Sequence, residues 1–212
     1  MKKPKKNFFK KYLDNKLKLE TYQLIGIMLL VMVFSGFIGW LWEFLLGFIA
    51  GGFQKFYITG GNLLPWINLY AYGGLLIVLL THRLRRYPWL VFLVSAIATG
   101  LLELLAGWVV FVFRNGARFW DYSNIWWGIG NINGFVCPAS ITVFGLGGLL
   151  LMYVVLPFCV NLSIRMAKNQ FLVLAISLFV LVVMDDLVNL TLECLNLPSA
   201  MDFYHSLGIE YK

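Results

Sequence analysis

Five apolar stretches, each long enough for a helix to cross the roughly 30 Å hydrocarbon core of a bilayer, make up most of this chain. Hydrophobic residues account for 60% of the sequence and charged residues for 13%, whereas soluble domains carry about 25% charged residues. The pattern predicts an all-α, polytopic bundle of five transmembrane helices and excludes an ordinary soluble domain. The expected spans are 22–49, 63–80, 89–113, 135–160 and 171–195.

A further apolar segment at residues 125–132 is too short to cross a membrane, and Gly128 and Gly130 interrupt it. We expect this segment to be re-entrant or to lie at the membrane interface.

Basic residues define the expected orientation. With the N-terminus in the cytoplasm, 13 of the 17 lysines and arginines fall in cytoplasmic segments, and only Lys55, Arg114, Arg118 and Lys212 fall outside. Cytoplasmic loops of membrane proteins carry this excess of positive charge. The sequence therefore predicts a multi-pass protein of the cell membrane with a cytoplasmic N-terminus and an external C-terminus.

The division of the chain follows from the same pattern. Residues 1–21 form a basic segment that we expect at the cytoplasmic interface, in contact with anionic lipid headgroups. Because this segment adjoins a membrane span, lipid is favoured over nucleic acid as its partner. Residues 22–198 form the transmembrane domain, and residues 199–212 form a short external tail.

Acidic residues inside the apolar stretches are the main functional signal. Glu43 and Glu103 both lie past the midpoint of helices that run outward, and Asp185 and Asp186 lie near the middle of the fifth span. Intramembrane carboxylates are costly and usually mark a site. Because adjacent helical residues point about 100° apart, only one of the two aspartates is expected to face a given chamber.

Together these acids predict an outward-facing polar chamber, to which the external loop contributes further polar groups. Arg114 and Arg118 are expected to pair with Glu43, Glu103 or Asp121, which would offset the desolvation of both charges. The alternative is that Glu43 and Glu103 are purely structural hydrogen-bonding groups within the bundle. The candidate ligand-binding residues are Glu43, Glu103, Arg114, Arg118, Asp121, Tyr122, Asn131, Asn133 and Cys137, with Tyr70, Tyr72, Asp185 and Asp186 as secondary candidates.

Several kinds of chemistry have no motif here. The three cysteines form no Cys-x-x-Cys pair and the two histidines no cluster, so no metal or other cofactor is expected. The sequence contains neither a Gly-x-x-x-x-Gly-Lys-Ser/Thr loop nor a Gly-x-Ser-x-Gly elbow. Any ATP-driven activity would therefore need a separate ATPase subunit as a partner.

The first four spans contain an apparent tandem repeat. Gly39-x-x-x-Glu43-x-x-x-Gly47 resembles Gly100-x-x-Glu103-x-x-x-Gly107, and each motif is followed by an Asn, a Pro and a Gly-Gly-Leu-Leu run. The two copies would occupy residues 34–80 and 95–155. Internal repeats are common in transporters, which often place their sites at the repeat interface.

These residues also carry a family resemblance. The Gly39-Trp-x-x-Glu43 and Glu103-x-x-x-Gly107-Trp segments, Trp120-Asp-Tyr-Ser123 and Asn131-Ile-Asn-Gly-x-x-Cys137 together resemble the bacterial CmpB-like family named "putative ABC-transporter type IV". The resemblance covers roughly residues 34–160 and implies a permease of the bacterial inner membrane.

Three functions remain open from the sequence. The first is a permease, or the membrane component of a transport system. The second is an intramembrane enzyme that acts on lipid or cell-envelope material, although no catalytic dyad supports it. The third is a non-catalytic membrane scaffold or sensor.

Overall fold

The fold is helical, as expected. The computed structural model describes residues 5–50, 57–58, 62–125 and 127–211. Its helices are α1 (Lys5–Leu13), α2 (Thr21–Ala50), α3 (Asn68–Thr81), α4 (Pro88–Phe113), α5 (Pro138–Leu150), α6 (Leu156–Arg165), α7 (Lys168–Cys194) and α8 (Ala200–Ser206). Two-residue strands, β1 (Tyr57–Ile58) and β2 (Glu210–Tyr211), pair in parallel.

Four helical stretches are long and apolar enough to cross a membrane. They are Thr21–Ile49, Pro88–Phe113, Pro138–Arg165 and Lys168–Cys194. They match the first, third, fourth and fifth predicted spans, so the helical membrane architecture is confirmed at this level. The second predicted span is shorter than expected, because α3 begins only at Asn68 and has 14 residues.

The ends of α4 follow from its sequence. The helix begins at Pro88, and proline suits a first helical position because the N–H it lacks would have no partner there. It ends where Asn115 and Gly116 adopt positive φ angles of 50° and 90°. The Gly116 N–H then bonds the Phe111 carbonyl and closes the last turn.

The chain forms two compact units, which are described separately. Unit I comprises Met1–Lys18 and Leu75–Phe158, and unit II comprises Leu19–Gly74 and Cys159–Lys212. In unit I, α4 packs along α5. In unit II, α2 packs along α7, where Gly26 leaves room for the buried ring of Phe171.

The fourth span contains a π-helical turn at Leu151–Val155, between α5 and α6. In this turn the Leu156 N–H bonds the Leu151 carbonyl five residues earlier. The same pattern would give the Met152 carbonyl a donor at Pro157, which has no N–H. The Tyr12 hydroxyl of α1 donates to that carbonyl instead, at 2.5 Å. Within unit I, the missing N–H of Pro157 thus leaves the Met152 carbonyl to accept the hydrogen bond that holds α1 in place.

The predicted re-entrant segment at 125–132 contains no helix among its described residues, and Trp126 lies outside them. The only helical piece nearby is a single 3₁₀ turn at Tyr122–Asn124. It begins at Asp121, whose side chain accepts a hydrogen bond from the Ser123 N–H.

Two adjacent glycines in α5 provide a matched test of the packing between α4 and α5. A Cβ at Gly148 would overlap the buried Ser95 side chain, whereas a Cβ at Gly147 would meet nothing within 4 Å. We expect Gly148→Ala to lower the free energy of unfolding by about 1–3 kcal/mol. Gly147→Ala should leave it unchanged or raise it by up to about 1 kcal/mol through helix propensity.

Thermal unfolding of both variants in detergent would measure this difference. Equal stability of the two variants would contradict the close approach of α4 and α5 at Gly148.

Candidate functional site

Glu103 is the best-defined acidic site in unit I. It lies on α4 with 4% of its surface exposed. Its Oε1 accepts a hydrogen bond from the Tyr122 hydroxyl at 2.6 Å, and its Oε2 accepts one from the Ser140 hydroxyl at 2.8 Å. The carboxyl group thus accepts one hydroxyl hydrogen bond from the loop that follows α4 and one from the first turn of α5.

Local helix capping positions Ser140. Cys137 precedes Pro138, the first residue of α5, and its sulfur accepts a bond from the Ser140 N–H. The Ser140 hydroxyl accepts a bond from the Cys137 N–H at 3.1 Å. This reciprocal arrangement is a capping box, so the first turn of α5 is fixed with the Ser140 hydroxyl beside Glu103. Cys137 therefore serves as a helix cap.

Two of the four segments that carry the family resemblance, at residues 120–123 and 131–137, are joined by hydrogen bonds. The Trp120 indole N–H donates to the Phe135 carbonyl at 2.8 Å, and the Tyr122 N–H donates to the Gly134 carbonyl at 2.9 Å. Gly134 has a φ of 74°, which favours glycine. The segment that precedes α5 therefore holds Tyr122 where its hydroxyl reaches Glu103.

Arg118 connects the same two segments. Its Nη1 donates to the Asn133 carbonyl at 2.5 Å and lies 3.4 Å from Asp121 Oδ1. Its guanidinium also lies 4.7 Å from the centre of the Phe135 ring. Of the ion pairs expected from the sequence, the one formed by Arg118 and Asp121 is present.

Electrostatics at Asp121 reflect this position. The hydrogen bond from the Ser123 N–H, reinforced by the Arg118 charge, lowers the pKa of the Asp121 carboxyl below its usual value.

Two further predicted candidates have local partners. The Arg114 guanidinium lies 4.9 Å from the centre of the Phe119 ring, and the Asn131 side chain bonds the Gly128 carbonyl and the Gly134 N–H.

Glu43 is the corresponding acid of unit II. The Tyr70 hydroxyl donates to its Oε1 at 2.5 Å. The Tyr70 ring packs against Gly39, where a Cβ would overlap it. Gly39 therefore has a defined role, because its missing side chain admits the ring that carries the hydroxyl to Glu43.

The hydroxyl donors of the two sites occupy the same position in their helices. Tyr70 is the third residue of α3 and Ser140 is the third residue of α5. In each case a long helix carries the glutamate, and the next α-helix, α3 or α5, supplies a hydroxyl from its first turn. This likeness supports the tandem repeat, which stays a prediction.

Asp185 and Asp186 bond the segment that replaces the start of the second predicted span. Asp185 Oδ2 accepts from the Leu64 N–H at 2.8 Å, and Asp186 Oδ1 accepts from the Asn62 amide at 2.8 Å. Asp186 Oδ2 also accepts from the Asn68 amide at 3.3 Å.

The expectation that only one of these aspartates faces a given chamber stays a prediction. Both reach residues 62–68, because a non-helical segment can present donors over a wider arc than a straight helix can. Asn189, which also donates to Asp185, is buried one turn further along α7.

Most of the predicted site residues fall into three groups in the structure. Glu103, Arg118, Asp121, Tyr122, Asn131, Asn133 and Cys137 lie in or around one hydrogen-bonded loop of unit I; Glu43 with Tyr70, and Asp185 with Asp186, lie in unit II. Tyr72 is 55% exposed. The prediction that Glu43 and Glu103 share one chamber stays a prediction.

The predicted site omitted Ser140, Asn62, Asn68 and Asn189, all of which donate to its carboxylates. Only Ser140 had a usable sequence signal, since it follows Cys137 by the three residues typical of a helix cap. The asparagines depend on contacts more than 100 residues apart in sequence, or on a neighbouring turn of α7.

Among the described residues, no group of three or more His, Cys, Asp or Glu side chains is placed to hold a metal ion. Carboxyls bonded to hydroxyl groups can instead exchange protons or bind cationic and hydrogen-bonding groups.

Four helices that are long and apolar enough to cross a membrane indicate a multi-pass helical membrane protein. The chain belongs to the family described as "Putative ABC-transporter type IV", whose profile matches residues 30–190. No curated protein and no solved structure matches the chain.

The contact between α7 and residues 62–68 predicts a specific stability effect. Asn62 is 6% exposed, and Asn62→Ala removes its bond to Asp186 within a membrane span. We expect the free energy of unfolding to fall by about 1–3 kcal/mol, since a carboxylate loses a buried donor. Thermal unfolding in detergent would measure the loss.

Asn169→Ala is the matched control, because Asn169 is exposed in the first turn of α7. A loss no larger than that of the control would mean that Asp186 does not hold this segment.

Proposed function

We propose that this chain is the permease-like, membrane-spanning component of a transport system whose ATPase is a separate subunit. Membership of an ABC-transporter-type family supports the transport role. The absence of a phosphate-binding loop from the 212-residue sequence is the reason for assigning ATP hydrolysis to a partner.

The observation that carries the proposal is the bonding of Glu43 and Glu103. Each lies on a membrane-length helix and accepts a hydroxyl hydrogen bond, from Tyr70 and from Tyr122 with Ser140. Ionisable groups placed inside membrane helices mark pathways for substrates, ions or protons. We assign them as ligand-binding positions for the transported species, with Arg118, Asp121 and Asn133 holding the loop over Glu103.

The proposed topology has five crossings with a cytoplasmic N-terminus. As a helix, α3 covers only about 21 Å, short of a full crossing. Residues 62–67 would complete the crossing as an interrupted segment, since non-helical backbone is tolerated in a membrane where protein groups satisfy it. The Asp185 bond to the Leu64 N–H supplies such a group. The asymmetry of basic residues supports the orientation.

An intramembrane hydrolase is the second candidate, and one contact favours it. The Ser140 hydroxyl donates to Glu103 at 2.8 Å, which is the spacing of a nucleophile and its base. We rank it below transport because the same hydroxyl is part of the capping box of α5. Loss of all activity in Ser140→Ala, with unchanged protein in the membrane, would favour the hydrolase.

Cysteine labelling tests the topology. In a Cys194→Ala background, we expect a cysteine placed at Ser123 to react with a membrane-impermeant thiol reagent in intact cells, because Ser123 is exposed on the proposed external loop. Cysteine at Arg83, exposed on the proposed cytoplasmic turn, should react only after lysis.

Cys137 and Cys159 are buried and should contribute little background labelling. Labelling of the Arg83 position in intact cells would contradict the orientation.

The transport role itself is tested on the tagged chain isolated from its native host in mild detergent. We expect an ATPase subunit to co-purify, identified by mass spectrometry, and the complex to hydrolyse ATP. Glu43→Gln and Glu103→Gln should abolish the ability to complement a deletion strain, because neutral amides cannot replace the carboxyls as ionisable ligands.

Glu20→Gln serves as the control, since Glu20 is exposed just before α2. Immunoblots of membranes would establish equal insertion of all three variants. Full complementation by both the Glu43 and Glu103 variants would overturn the site, and the lack of any ATPase in the complex would overturn the ATP-driven mechanism.

A further inference from the structure

In unit I, α1 is fixed to the turn where a membrane span begins. The Arg85 side chain, in the turn before α4, donates to the Tyr12 carbonyl at 3.0 Å and stacks over the Tyr12 ring at 4.3 Å. The Tyr12 side chain is fully buried, and its hydroxyl donates to the Met152 carbonyl. The Tyr153 hydroxyl in turn donates to the Arg85 carbonyl at 2.8 Å. These bonds hold α1 beside the end of a membrane span.

The surface around this anchor is strongly basic. Lys10 and Lys11 are exposed on α1, and Arg83 is exposed on the turn before α4. Asp14 accepts a bond from Arg86 at 2.8 Å and lies 3.7 Å from Lys16. These partners lower the pKa of Asp14, the hydrogen bond from Arg86 having the largest effect.

Asp14 therefore offsets only part of the positive charge. It is the one acidic residue in residues 8–18 and 81–88, which contain four lysines and three arginines. The exposed side chains of Lys10, Lys11 and Arg83 remain available to an anionic partner.

An apolar contribution accompanies the charge. Phe9 is 40% exposed, and the Phe8 and Phe9 rings lie 6.5 and 6.0 Å from the Tyr12 ring. A short helix with exposed lysines and a partly exposed aromatic edge suits the boundary between lipid headgroups and acyl chains. By contrast, a surface that binds nucleic acid would need basic side chains that project away from the bilayer into water.

We propose that α1 and residues 81–87 form a binding surface for anionic phospholipid headgroups, held in place by the bond from Tyr12 to the Met152 carbonyl. The Pro157-dependent π-helical turn is then the point through which headgroup binding stabilises the fourth span. This inference is independent of the transported substrate and of the ATPase.

The test uses the full chain in nanodiscs of phosphatidylcholine, with or without phosphatidylglycerol, and follows amide hydrogen exchange over residues 5–18. Each basic residue near an anionic surface contributes on the order of a fivefold effect. We expect exchange to slow by at least about tenfold in the anionic discs, and the difference to shrink at high salt. Equal exchange in the two lipids would overturn the proposal.

The double variant Lys10→Gln/Lys11→Gln removes two exposed charges without altering Tyr12, and we expect it to lose most of the lipid dependence. Lys168→Gln is the matched control, because Lys168 is exposed at the start of α7 and belongs to unit II. Full lipid dependence in the double variant would refute the surface. So would an equal slowing by a DNA oligonucleotide added to neutral discs, since that would indicate binding to any polyanion.

Tyr12→Phe separates anchoring from lipid binding. It keeps the ring under Arg85 and removes only the hydroxyl bonded to Met152. We expect exchange over α1 to rise about fivefold in both lipids, the effect of one lost buried hydrogen bond. Unchanged exchange would show that the hydroxyl does not anchor α1 and would overturn that part of the proposal.

Discussion

Every polar group that enters an apolar layer must find its hydrogen-bond partner within the protein, because lipid offers none. In this chain several backbone and side-chain groups meet this requirement through contacts that are distant in sequence. Where α3 starts late, the Leu64 N–H is satisfied by Asp185. Where Pro157 deprives the Met152 carbonyl of a donor, the Tyr12 hydroxyl supplies one. The polar side chains near these helix interruptions therefore supply the hydrogen bonds that the interrupted backbone lacks.

The intramembrane glutamates follow the same rule with a recurring geometry. Each accepts a bond from a hydroxyl group in the first turn of the helix that follows its own. A neutral donor satisfies a carboxyl group whether or not it is ionised, provided the donor can rotate. The hydroxyl groups of Tyr70, Tyr122 and Ser140 can therefore stay bonded to Glu43 and Glu103 in either protonation state. This property is compatible with the transport role that we propose.

The loop between α4 and α5 shows how the family motifs are connected in the structure. Trp120, Tyr122 and Arg118 all bond backbone carbonyls between Asn133 and Phe135. These hydrogen bonds fix the two motif segments to each other and place the Tyr122 hydroxyl where it donates to Glu103. A substitution in this loop would therefore act on the carboxyl group through the position of the Tyr122 hydroxyl.

Apolar length and charge alone determined that this chain forms membrane-length helices, and they located Glu43, Glu103 and the basic N-terminal segment. These are local properties, since hydrophobic runs and helix caps depend on residues close together in sequence. Only the tertiary structure decided that Asp185 and Asp186 bond residues 62–68. It likewise decided that the Ser140 hydroxyl donates to Glu103 and that the Tyr12 hydroxyl donates to the Met152 carbonyl. The last contact joins residues 140 positions apart, and no periodicity or propensity encodes a partner at that distance. Such a pairing depends on which faces meet when the helices pack.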